Sequence, residues 1–199
     1  MTEDKIIENK LEFCSRLRAT GRDGVEQLIK WLETTDFFTA PASTQFHEAY
    51  KGGLVQHSLR VSDNMRIVYD TYARSTKNTI NEGSLQLIAL LHDLCKTNYY
   101  VESTRNVKND ATGKWEKVPF YKVEDQFPMG HGEKSVWLIE RYVRLTPAEA
   151  LAVRWHMGAY DIAFKGGDYA FNAARQYTPL VDLLHAADNF TTIFLGSAG

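Results

Sequence analysis

Residues 85–96 read LQLIALLHDLCK. Leu85, Ile88, His92 and Cys95 fall on one helical stripe, and the second half of the segment is almost wholly apolar. The spacing predicts a helix from Gly83 to Lys96 with His92 and Asp93 both facing the interior. Asp93 is the anomaly, because its helical neighbours are Ala89 and Leu90. An ionised carboxylate there costs several kcal/mol unless a cation or a metal pairs with it. Adjacent helical residues point about 100° apart, so His92 and Asp93 can grip one ion from two sides.

On either side, apolar residues recur at helical spacing, with no internal repeat or low-complexity tract. Ile7, Leu11 and Cys14 mark a first helix ending near Thr20-Gly21, and Val25, Leu28, Ile29 and Leu32 mark a second. After the loop TTDFFTAPAS, Gly52-Gly53 lead into a longer helix whose seam runs Leu54, Ser58, Val61, Met65, Val68 and Tyr72, with His57 beside it. Val136, Ile139 and Val143 form a helix after Gly130-His131-Gly132. Thr146-Pro147-Ala148-Glu149 is a strong helix start, combining a threonine cap, proline at the first helical position and a capping-box glutamate. That helix ends at His156, near Gly158. The last begins at Thr178-Pro179 and carries Leu180, Leu183, Leu184, Ala187, Thr191 and Phe194, with His185 and Asp188 one turn apart.

Helical periodicity breaks at about 99–129, where NYYVESTRNVK and KWEKVPFYKV flank the turn-rich NDATG. This pattern predicts a β-hairpin near residues 99–123, with Pro119 on an edge or bulge because it lacks an amide hydrogen. From Thr104 to Lys122, Arg105, Lys108, Lys114, Lys117 and Lys122 oppose Asp110 and Glu116, a local charge of +3. The fold class is therefore all-α with one small inserted hairpin.

The 199 residues, 44% hydrophobic and 24% charged, suit one ordinary globular domain and exclude disordered, collagenous and coiled-coil classes. A net charge of −2 argues against a general binder of long polyanions. Cys14 and Cys95 cannot form a disulfide framework and are expected as core residues in a reducing compartment. MTEDKIIENK lacks the apolar region of a secretory signal, and no apolar run reaches the roughly 20 residues that span a bilayer. A cytoplasmic protein with no membrane partner is expected.

The chemistry lies in an ordered set of side chains: His57, His92-Asp93, His131, His156 and Asp188. Together with the strings HEAYKGGLVQHS at 47–58, LLHDLCK at 90–96, GHGEKS at 130–135, RWHMG at 154–158 and LLHAADN at 183–189, that order resembles the HD superfamily of metal-dependent phosphohydrolases. The first string is most similar to the HD domain of bacterial 3′-to-5′ exoribonucleases. The resemblance implies an HD-type helical bundle as a single domain over 1–199, with N-terminal helices in 1–36, a metal-binding core at about 40–195 and a hairpin insertion at about 99–129.

It also implies two divalent transition metal ions, of manganese, iron, cobalt, nickel or zinc. One would take His57, His92, Asp93 and Asp188, and the other His131 and His156, with Asp93 bridging. Such ions lower the pKa of a bound water from 15.7 toward roughly 7 and supply a hydroxide nucleophile. Asp93 and Lys96 are the expected catalytic residues, with Lys96 also meeting a substrate phosphate. His47 and Tyr50 are placed near the substrate, Gly52 and Gly53 as a source of helix-start amides for a phosphate, and Lys108 and Lys117 on a hairpin that guides anions to the site. His185 is read as a hydrogen-bonding neighbour of the ligands or a spare ligand. A single histidine in RWHMG, where three-metal relatives carry a pair, speaks against a third ion.

The expected activity is hydrolysis of a phosphoester or phosphoanhydride in a nucleotide or similar small phosphorylated substrate. Three alternatives stand beside it: a 3′-to-5′ exonuclease on short single strands, a di-iron oxygenase with the same ligand set, and a non-catalytic nucleotide-binding module. No appended nucleic-acid-binding domain like that of the exoribonucleases is expected, which favours the small substrate.

Overall fold

The computed structural model describes residues 1–195, with side chains through Ile193; residues 196–199 and the expected seam residue Phe194 lie outside the described side chains. Helices α1 (Glu3–Ala19) and α2 (Val25–Leu32) lead through a long loop to α3 (Gly53–Thr76) and α4 (Glu82–Leu91). Strands β1 (Tyr100–Lys108) and β2 (Trp115–Val123) interrupt the helices before α5 (His131–Glu140) and α6 (Pro147–Trp155). Two short helices, α7 (Ile162–Lys165) and α8 (Ala170–Tyr177), precede α9 (Leu180–Phe190), which runs on into a wider π-helical turn, Thr191–Leu195. No helix among the described residues is long and apolar enough to cross a membrane.

Helix α4 is the axis of the core. Leu85, Leu87, Ile88, Ala89, Leu90 and Leu91 are all buried, and each buried leucine or isoleucine contributes about 1.5–3 kcal/mol. Helices α3, α6 and α9 pack around it. The N-terminal pair joins the same core through Phe13, Leu17, Leu28 and Leu32. Helix α6 starts as expected, with Thr146 and Glu149 forming the reciprocal capping box and Pro147 beginning the helix.

Four readings of the sequence are corrected. In α1 the buried face is Ile6, Phe13, Cys14 and Leu17, while Ile7 and Leu11 are exposed; two apolar stripes compete there, and the aromatic one is buried. Helix α4 stops at Leu91 and not at Lys96. Asp93 leaves helical geometry at φ −99° and ψ 21°, and a 3₁₀ turn, Leu94–Lys96, follows. Helices α7 and α8 lie where no element was expected. They are short, separated by Gly166-Gly167, and α8 is held mainly by Phe171 and Ala174 against Trp155 and Val181.

The hairpin is a two-stranded antiparallel ribbon with Thr104 opposite Pro119. Among the described residues neither strand has a second neighbour, so Pro119 forfeits no ladder bond there beyond this pair.

Candidate metal centre

Four elements meet at the C-terminal end of α4. Helix α3 delivers His57 in its second turn, the end of α4 delivers His92, and the kink after it delivers Asp93. His131 is the first residue of α5, His156 follows the last residue of α6, and Asp188 lies in the last turn of α9. His57, His92, Asp93 and His156 are buried.

Three of the histidines are locked in one orientation. His57 Nδ1 donates to Glu48 Oε2 at 3.1 Å, His92 Nδ1 to the Ala89 carbonyl at 2.9 Å, and His156 Nδ1 to the Val153 carbonyl at 2.7 Å. Each Nδ1–H is thereby committed, and each Nε2 turns inward. All three Nε2 atoms are buried without a hydrogen-bond partner among the described residues. A buried polar atom costs about 1–3 kcal/mol when unsatisfied, so three together mark a place for a shared electrophile.

Asp93 divides its carboxylate between two groups. Oδ2 stands 3.5 Å from His57 Nε2 and 3.4 Å from His92 Nε2, while Oδ1 stands 2.9 Å from His131 Nε2 and 3.6 Å from His156 Nε2. Asp188 Oδ1 lies 3.2 Å from His57 Nε2 without making a hydrogen bond, and 3.9 Å from His92 Nε2. Two ligand atoms about 2.1 Å from a tetrahedral ion are roughly 3.4 Å apart, so these separations fit metal ligation. Among the described residues three ligand clusters result: His57, His92 and Asp93; His92, His156 and Asp188; Asp93, His131 and His156. The mixed imidazole and carboxylate set suits the divalent transition metals.

The electrostatics also favour a cation. Burial would raise the Asp93 carboxyl, yet the charges of Lys96 and His92 hold it well below its ordinary value. Asp188 is lowered in the same way, its burial outweighed by His57 and His92. Burial opposes protonation of His57, but Asp188 and Glu48 carry it up to about 9. The pocket thus attracts positive charge to the point where the Nε2 atoms converge.

Beside the cluster opens a cavity of about 310 Å³ lined by His47, Asp93, Lys96, His131, His156, Met157, Tyr160, His185, Asp188, Asn189, Thr192 and Ile193. A larger surface hollow of about 700 Å³, beside Arg22, Tyr142 and Pro147, contains no such cluster. Lys96 Nζ donates to Asp93 Oδ2 at 2.7 Å and faces this cavity. His47 faces it too, its pKa pushed down to about 4 by burial and by His57. His185 donates from Nδ1 to the His156 carbonyl at 2.6 Å and accepts at Nε2 from Asn189 at 2.9 Å. It therefore braces the His156 turn, with both ring nitrogens engaged.

Other expected substrate residues lie elsewhere. The amides of Gly52, Gly53 and Leu54 donate to the carbonyls of Thr39, Tyr50 and Ala40, so none is free for a phosphate. The glycine pair instead permits close packing: a Cβ on Gly53 would stand 2.0 Å from the Glu48 carbonyl oxygen. Tyr50 donates to Gln56 Oε1 and lines a separate cleft against the hairpin. Lys108 and Lys117 sit in the outer half of the hairpin, roughly 26 Å and roughly 20 Å along the ribbon from Tyr100 at its base, and neither lines the cavity.

One residue at the site was missed. Glu48, at φ 49°, is buried between His57 Nδ1 and Arg60, whose NH1 donates to Oε1 at 2.7 Å. A carboxylate behind a ligating imidazole fixes its tautomer and raises its basicity. A carboxylate nine residues before a seam histidine was the available clue, but only the folded loop brings the two together.

The HD domain family matches residues 54–193. The chain belongs to the HD domain family. This HD domain is also 26% identical over 151 residues to the dihydroneopterin 2′,3′-cyclic phosphate phosphodiesterase of Methanocaldococcus jannaschii. The aligned region covers 76% of this chain and 52% of the relative, so the HD chain spans about half the length of the protein it matches. No solved structure matches it.

Proposed function

We propose that the chain is a metal-dependent phosphohydrolase with two divalent ions, acting on a nucleotide or similar small phosphoester. The observation that carries this reading is the division of Asp93 between two sets of imidazoles, three of whose inward nitrogens lack a hydrogen-bond partner among the described residues. His57, His92, Asp93 and Asp188 would hold one ion, and Asp93, His131 and His156 the other. When bound, the ions acidify water and withdraw charge from a phosphoryl group.

The chain's own residues supply the rest. Asp93 and Asp188 balance the cationic charge, and Glu48 and the two carbonyls keep the imidazoles aligned. Lys96 projects into the cavity as a point charge for a substrate phosphate. His47 is neutral near pH 7 and serves as an uncharged hydrogen-bonding group at the wall. Met157, Tyr160 and Ile193 give that cavity an apolar side suited to an organic leaving group. The relative's name specifies a cyclic phosphodiester on a heteroaromatic compound, and the proposed substrates include nucleoside 2′,3′-cyclic phosphates for that reason.

A phosphate-release screen with manganese across nucleoside mono-, di- and triphosphates, with product analysis for the cyclic phosphates, tests the reading. Hydrolysis of at least one class that chelation stops is expected; no hydrolysis by metal-loaded protein refutes it. A second reading, 3′-to-5′ exonuclease action on short single strands, draws on the likeness of residues 47–58 to exoribonucleases and on the cationic hairpin. Stepwise shortening of an end-labelled oligonucleotide would establish it in place of the first.

A further inference from the structure

The four histidines are not supported alike. His57, His92 and His156 each give their Nδ1–H to an oxygen, and their side chains are at most 1% exposed. His131 has no oxygen acceptor for Nδ1 among the described residues. Its neighbour there is Cys95, whose Sγ lies 3.2 Å from Nδ1 and 3.8 Å from Nε2. Similar distances to both nitrogens place the sulfur beside the ring, off the line of an Nδ1–H bond, and sulfur is in any case a weak acceptor. His131 is 31% exposed and begins α5 where the hairpin insertion returns to the core. Its Nε2, the ligand atom, is meanwhile engaged by Asp93 Oδ1 at 2.9 Å.

We infer that the two metal positions differ in affinity, with the His131 position the weaker and filled second. The inference rests on the two-ion reading above and adds an order of loading to it. Loss of the hydrogen-bonding partner behind a ligating imidazole lowers metal affinity about 10- to 100-fold. The position built on His57 and His92 has that partner on both imidazoles; the other has it on His156 alone. The His131 ion is therefore the one whose occupancy follows the free metal concentration, and the segment that carries this ligand is the return of the hairpin.

Calorimetric titration of the metal-free full chain with Mn²⁺, repeated against a competing chelator, reads the two affinities without any activity assay. Wild-type protein is expected to bind two ions in steps at least tenfold apart. His131→Ala and the more conservative His131→Gln are expected to lose the weaker step and retain the tighter one, with unchanged far-ultraviolet circular dichroism. Two ions of equal affinity would leave the two-ion reading intact and overturn the inference. So would loss of the tighter step in both folded His131 variants. A single ion at saturation would overturn the two-ion reading itself, and the inference with it.

Discussion

Gly53→Ala sets two opposing effects against each other. Gly53 is the first residue of α3, and alanine within a helix is favoured over glycine by about 1 kcal/mol. The added Cβ, however, would stand 2.0 Å from the Glu48 carbonyl oxygen, 3.0 Å from its carbon and 3.1 Å from the Ala42 nitrogen. All three are backbone atoms, so no side chain can rotate away. The Glu48 carbonyl also accepts from the amides of Ala42 and Tyr50, and moving it strains both bonds. Overpacking costs about 1–3 kcal/mol, and each weakened hydrogen bond adds about 1 kcal/mol. Against the propensity gain, the net loss is about 3 kcal/mol, or roughly 6–12 °C in Tm for a chain of this size. Because Glu48 moves, His57 loses alignment and metal affinity falls as well. Thermal unfolding followed by circular dichroism, with and without metal, measures both effects. A Gly53→Ala protein as stable as wild type, with unchanged metal affinity, would refute the proposed packing of Glu48 onto His57.

Glu48→Gln keeps the shape but removes the charge behind His57, and metal affinity should fall about tenfold with the fold intact; competition titration checks it. Burial pushes the Glu149 carboxyl up, but its bonds to Arg22 outweigh this and lower it below its ordinary 4.5. The pair therefore stabilises fully above that value, and its contribution is lost as pH falls through the lowered one. Urea unfolding of Arg22→Ala should show a loss of about 2 kcal/mol at pH 7 and a smaller difference from wild type in acid. Lys108→Ala combined with Lys117→Ala should raise KM for an anionic substrate at low ionic strength and leave kcat unchanged, since charges this far away act only through a screened field. Identical KM at low salt would remove the outer half of the hairpin from substrate capture.

The convergence of these side chains was legible because a polar residue in an apolar helical seam needs a reason, and His57, His92 and Asp93 each interrupt such a seam. The kink at Asp93 was not legible. It depends on the 3₁₀ turn that follows, and without it the carboxylate would not face both groups of histidines. Glu48 lay hidden because a loop has no periodicity, and its contact with His57 depends on an αL backbone and on the close approach of Gly53. That same glycine pair was read as a phosphate cradle, since a sequence does not show that its amides are already bonded. The α1 face was misassigned because Ile7 and Leu11 keep helical spacing as well as Ile6, Phe13 and Leu17 do; packing chose between them.

Elemental analysis of purified wild-type and Asp93→Ala proteins, paired with phosphate release from the same samples, addresses the metal centre itself. Wild type is expected to carry up to two transition metal ions per chain and to hydrolyse a phosphoester. The folded Asp93→Ala protein should lose both metal and hydrolysis, because Asp93 belongs to two of the three ligand clusters and would supply an oxygen to both proposed ions. Full metal content in Asp93→Ala, or undiminished hydrolysis after chelation has stripped the wild-type protein, would contradict the account.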